Sequence, residues 1–120
     1  MKTYDITKRT YKFSLSVLKL LESLELKRVY YSIADQVIRS SCSIGANITE
    51  AQSSSSKKEF LRYFQIALRS ANETKYWLGL LKDALEINEA SMGPVVDEAN
   101  QLSNIIASSI LTMKGKRKMV

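Results

Sequence analysis

The chain has 120 residues, 45% of them apolar and 25% charged, with a net charge of +6, no histidine and one cysteine. One domain of this size can bury a core without covalent staples. Without histidine there is no Ser-His-Asp or Cys-His catalysis, no Glu-x-x-His di-iron pair and none of the usual zinc sites. Cys42 alone can form no intramolecular disulfide.

With one proline and four glycines, long helices fit better than a turn-rich β protein. Apolar residues recur at helical spacing in four segments. The first runs from about Thr3 to Leu24, with Phe13, Val17, Leu20, Leu21 and Leu24 as its stripe. The second covers about Val29 to Gln52, anchored by Ile33, Val37, Ile44 and Ile48. Ser53 to Ser56 makes a turn, and Ser56-Lys57-Lys58-Glu59 reads as a capping box opening the third helix. That helix extends to about Ile87, with Phe60, Phe64, Ala67, Ala71, Leu78, Leu81 and Leu85 on one side. The fourth spans about Met92 to Lys114 through Val95, Ala99, Leu102, Ile106, Ile110 and Met113. Proline is tolerated in a first helical turn, so Pro94 favours Ser91 over Asn88 as the cap. Gly115 stops the last helix.

Short connections make consecutive helices antiparallel neighbours. The expected fold is all-α, an antiparallel up-down-up-down four-helix bundle over residues 1–114, with a basic tail over 115–120. The N-terminus lacks the apolar core of a signal peptide, and no apolar run approaches the roughly 20 residues that span a bilayer. The expectation is a soluble cytoplasmic protein with no membrane, metal or cofactor.

Charge is unevenly distributed. Residues 1–20 hold five basic groups (Lys2, Lys8, Arg9, Lys12, Lys19) against Asp5, and residues 114–120 hold four basic groups with no acid. Antiparallel topology brings the start of helix one, the turn between helices two and three and the end of helix four to one pole. Lys8, Arg9, Lys12, Lys57, Lys58, Arg62, Lys114, Lys116, Arg117 and Lys118 are therefore the candidate nucleic-acid-binding residues. Phosphate contacts release counterions, and Tyr4, Tyr11 and Tyr63 nearby can stack on unpaired bases. The opposite pole collects Glu22, Glu25, Asp83, Glu86, Glu89, Asp97 and Glu98, diluted by Lys27, Arg28 and Lys82. The competing reading of the basic pole is a solvated end that keeps the protein soluble.

Two further groups stand out. Folding helices two and three as a hairpin sets Arg39 near Glu73 and Gln36 near Asn72, so Gln36, Arg39, Asn47, Glu50, Asn72 and Glu73 are expected to form a structural polar network. The alternative is independent solvation; a catalytic role ranks last. Leu15, Leu18, Trp77 and Leu80 fall off the main stripes and mark an oligomer interface.

Gln36-x-x-Arg39, Ser43-Ile44-x-x-Asn47-Ile48-x-Glu50, Ser56-x-x-Glu59-Phe60 and Ile66-Ala67-x-x-Ser70-Ala71-x-Glu73 resemble the four-helix bundle proteins encoded by intervening sequences in bacterial large-subunit ribosomal RNA genes. The accessory variability protein of diversity-generating retroelements is a relative. Gly45 stands where the family usually has proline, and Ala51 where it usually has glycine. The resemblance implies a bacterial cytoplasmic bundle that assembles as a ring-like homopentamer. Through the retroelement relative, it also implies RNA or other nucleic acid, or a reverse transcriptase, as partners. The expected function is a non-enzymatic, homo-oligomeric scaffold whose basic face binds nucleic acid or an acidic partner. The alternative is a protein–protein interaction module that binds no nucleic acid.

Overall fold

In a computed structural model, residues 3–115 are described, with side-chain burial from Ile6 onward. Four α-helices follow one another: α1 over Thr3–Ser23, α2 over Tyr31–Gln52, α3 over Lys57–Leu85 and α4 over Glu89–Met113. A 3-10 turn, Arg28–Tyr30, leads into α2. There is no strand among the described residues. Each helix packs on the next, and α1 closes on α4 through the thinnest of the seams. This is the antiparallel four-helix bundle expected from the hydrophobic periodicity.

The stripes meet in one core. Phe13 and Val17, Ile44 and Ile48, Leu78 and Leu81, and Met92, Leu102 and Ile106 are fully buried, one set from each helix. Leu24, Ile33, Phe60, Leu85 and Met113, at the ends of the stripes, pack half-buried around them.

Helix ends follow local chemistry. Ser56 caps α3 by accepting the Glu59 amide at 3.0 Å, while Glu59 reaches back to the Ser55 amide at 3.1 Å. The reciprocal box is thus displaced by one residue from its usual target, the cap's own amide. α3 stops at Leu85, two residues before the expected end, because Glu86 turns left-handed with φ 51°. The Ile87 amide then bonds the Lys82 carbonyl at 3.1 Å, and Ile87 tucks against the core. Asn88 caps α4, accepting the Ser91 amide at 2.8 Å, which corrects the expected cap at Ser91. Pro94 consequently lies in the second turn of α4, where its missing amide leaves the Ala90 carbonyl without its helical partner. Ala90 and Pro94 are both exposed, so water can serve that carbonyl.

Candidate functional site

The hairpin of α2 and α3 brings the Ser53–Ser56 turn to the same end of the bundle as the start of α1 and the end of α4. Lys57 and Lys58 open α3, Arg62 follows about one turn later, and Lys114 follows α4; all four are exposed. Lys8 and Lys12 lie one turn apart on α1 and are exposed as well. Lysines in a first turn face the positive end of the helix dipole, which costs each a few tenths of a kcal/mol up to about 1 kcal/mol. Only Glu59 offsets them there. Lys57 and Lys58 therefore add to the positive potential of this end rather than to the stability of α3. Lys116, Arg117 and Lys118 lie outside the described residues.

Arg9 departs from the expected set. Its Nε donates to Glu98 Oε2 at 2.7 Å, and its Nη2 donates to Glu98 Oε1 at 2.9 Å and to Gln101 Oε1 at 2.7 Å. The hydrogen bond to Glu98 raises the Arg9 pKa above its ordinary value, against the opposing effect of burial. The guanidinium is engaged in tying α1 to α4 and is not available to a phosphate. Glu98, expected at the acidic pole, instead faces Arg9 because α4 runs beside α1. At that acidic pole, Lys82 Nζ pairs with Glu89 at 2.7 Å, and this bond raises the Lys82 pKa.

The polar network also has different members. Arg39 does not meet Glu73: its Nε donates to Asp35 at 3.1 Å along the same helix, and both side chains are exposed. Glu73 accepts the indole N–H of Trp77 at 3.1 Å. Glu50, Asn72 and Glu73 are exposed and Gln36 half-buried, so these long side chains reach water at the rim. Between α2 and α3 the buried groups are short. Thr74 Oγ1 donates to Ser40 Oγ at 2.9 Å or to the Ser70 carbonyl at 2.7 Å. Ser70 donates to Ser43 Oγ at 2.9 Å, and Asn47, the one expected member retained, donates to Ser43 Oγ at 3.0 Å. Among the described residues, no buried side-chain polar atom lacks a partner. Ser40, Ser43, Ser70 and Thr74 were visible as hydroxyls flanking the apolar stripes of their helices. Their small size gives a weaker sequence signal than the charged residues one turn away.

Leu15, Leu18 and Leu80 are exposed, whereas Trp77 is half-buried against the core. No group of three or more His, Cys, Asp or Glu residues is placed to hold a metal among the described residues, and no helix there is long and apolar enough to cross a membrane.

The profile of the 23S rRNA-intervening sequence protein family matches residues 2–108. The chain belongs to that family. The crystal structure of a protein of unknown function from the S23 ribosomal protein family, from Bacteroides thetaiotaomicron, is similar to this family member. It superposes with a TM-score of 0.80 at 30% identity, over 88% of this chain and 97% of that one. No functionally curated protein matches the sequence. The motifs spaced along α2 and α3 thus point to the right family. In this member their polar residues divide between a buried hydroxyl ladder and an exposed rim.

Proposed function

We propose that this protein is a cytoplasmic, non-enzymatic bundle that self-associates, with five copies as the expected ring, and offers a basic end to nucleic acid. The observation that carries this reading is that the topology sets Lys57, Lys58, Arg62 and Lys114 at one end, with Lys8 and Lys12 along α1 leading from it, all exposed and drawn from three separate stretches of chain. Arg9 is excluded from this set by its pairing with Glu98. A ring of aligned subunits repeats the basic end around one rim, so contacts too weak singly to hold a polyanion act together. Phosphate contacts carry no sequence information, so binding is expected to be salt-sensitive and tolerant of sequence.

Anisotropy of a labelled structured RNA, measured at several salt concentrations, tests this. K57E/K58E should weaken binding and lower the slope of log affinity against log salt by about 1.4–1.8, at about 0.7–0.9 per phosphate contact. K27E/R28E, at the start of the 3-10 turn that leads into α2, should change little. Equal binding by both variants, or no binding by the wild type at low salt, would refute the nucleic-acid reading. The second reading, an interaction module without nucleic acid, draws support from the exposed apolar side chains Tyr11, Leu15, Leu18, Tyr76 and Leu80.

A further inference from the structure

Two apolar strips lie on opposite flanks of α2. On α1, Tyr11, Leu15 and Leu18 follow a helical spacing of four and three and are 69%, 44% and 42% exposed. Beside them runs a groove between α1 and α2, with a volume of about 410 Å³, whose walls include Thr7, Tyr11, Ser14, Cys42, Ala46 and Thr49. Small residues on α2 leave this groove open. On α3, Tyr76 and Leu80 are 64% and 38% exposed. Trp77 braces Tyr76 edge-on, with ring centroids 5.1 Å apart, and is held in turn by Glu73. Together they form an exposed aromatic ridge. The two strips cannot overlap, because α2 separates them. It meets α1 through Gly45 against Thr10 and through Ser41 against Ser14, and meets α3 through Ser40 and Ser43.

The charges beside the strips differ in sign. Lys8, Lys12 and Lys19 outnumber Glu22 and Glu50 around the groove, while Glu73 and Asp83 outnumber Arg69 around the ridge. All eight are exposed. Groove against groove opposes like charges, and so does ridge against ridge; groove against ridge opposes unlike ones.

The geometry points to a head-to-tail contact in which the Tyr76–Leu80 ridge of one copy seats in the α1–α2 groove of the next. This rests on the self-association reading and specifies its surfaces. The occupant is a second copy because the exposed wall is mostly apolar, leucines flank it, and the charges around groove and ridge are opposite in sign. Such a wall suits an apolar knob. A head-to-tail contact leaves one free groove and one free ridge at every stage, until the rotation closes a ring.

Two variants, L15E/L18E on the groove side and Y76E/L80E on the ridge, test the pairing by light scattering at micromolar concentration, with helical circular dichroism as the check on folding. The wild type should exceed the 13.6 kDa of one chain. Each variant alone should be monomeric. Their equimolar mixture should form a dimer and stop there, because each supplies the face the other lacks. An assembled wild type with a monomeric mixture overturns the pairing alone, as does either variant assembling by itself. If both variants stay assembled while L15E/L18E loses RNA binding, the groove is a nucleic-acid slot and the pairing falls. A monomeric wild type removes self-association and the pairing together. Should a glutamate pair unfold the chain, L15S/L18S and Y76S/L80S repeat the experiment with the same expected outcomes.

Discussion

Thr74→Val probes the buried hydroxyl ladder with almost no change in shape. Thr74 is fully buried, and valine keeps its volume and β-branching while losing the hydroxyl. Two contacts disappear, at 2.7 Å to the Ser70 carbonyl and 2.9 Å to Ser40 Oγ. The Ser70 carbonyl can still accept the helical amide of residue 74. Ser40 fares worse: it is buried, and its remaining acceptor, the Val37 carbonyl, sits at 3.5 Å, long for a hydroxyl. A buried group left without a good partner costs about 1–3 kcal/mol. For a chain of this length that lowers Tm by roughly 4–12 °C. Ser40→Ala should cost less, about 0.5–1.5 kcal/mol, because Thr74 keeps the Ser70 carbonyl. With both changes no orphan remains, so the double variant should be more stable than the sum of the two losses by about 1 kcal/mol. Urea unfolding followed by circular dichroism, at one fixed protein concentration, measures all four corners of the cycle. A neutral Thr74→Val, or strictly additive losses, would refute the shared hydrogen bond.

Arg39→Met should change stability by less than about 0.5 kcal/mol, because an exposed pair four residues apart on one helix contributes little. Arg9→Met should cost about 1–2 kcal/mol after discounting charge-assisted bonds for partial exposure, with a smaller loss at high salt. Unfolding of the two variants side by side checks both expectations, and equal losses would contradict them. Pro94→Ala should stabilise the protein by about 1–2 kcal/mol: it restores one helical hydrogen bond and relieves the ring's clash with residue 90, against some gain in unfolded-state entropy. A rise in Tm is the readout.

The fold was legible because the apolar residues kept a period of 3.6 across all four helices, and burial follows that period whatever the surface does. Phe13, Ile44, Leu78 and Ile106 could be assigned to the core from spacing alone. Helix ends were less legible where two signals competed. At α4, a proline rule favoured Ser91, but Asn88 already held the Ser91 amide, and Pro94 is tolerated in the second turn because the Ala90 carbonyl it orphans belongs to an exposed residue that water can reach. The candidate site divided along the same line. Cations at helix ends could be grouped from topology, since ends are few and their order is fixed. Pairing in the middle of the bundle could not, because it depends on rotation about the helix axis. Arg39 and Glu73 stand near each other in hairpin register, yet both face outward, while Arg9 finds Glu98 from 89 residues away. Long charged side chains snorkel to water when they can, which leaves the space between helices to serine and threonine.

Gly45 is where the backbone of α2 depends most directly on a single residue. A Cβ at this position would lie 3.3 Å from Thr10 Oγ1 and 3.4 Å from Thr10 Cβ, tighter than ordinary contact. Thr10 has little room to give: it is fully buried, and its hydroxyl is fixed by the Ile6 and Thr7 carbonyls at 2.9 and 3.0 Å. Glycine in a helix costs about 1 kcal/mol relative to alanine, so Gly45→Ala sets that gain against a small displacement of α1 and should be nearly neutral. Gly45→Val adds two more methyl groups to the same gap and should cost about 1–3 kcal/mol by overpacking. The strain cannot stay local. On its other flank α1 is held by the thin α4 seam, through Arg9 and Glu98. Moving α1 away from α2 shifts that pair, so Arg9→Met should cost less in a Gly45→Val background than in the wild type. Thermal unfolding of the single and double variants reads the coupling. A Gly45→Val protein as stable as wild type would show that α1 has slack against α2, and additive losses with Arg9→Met would show that its two seams are independent.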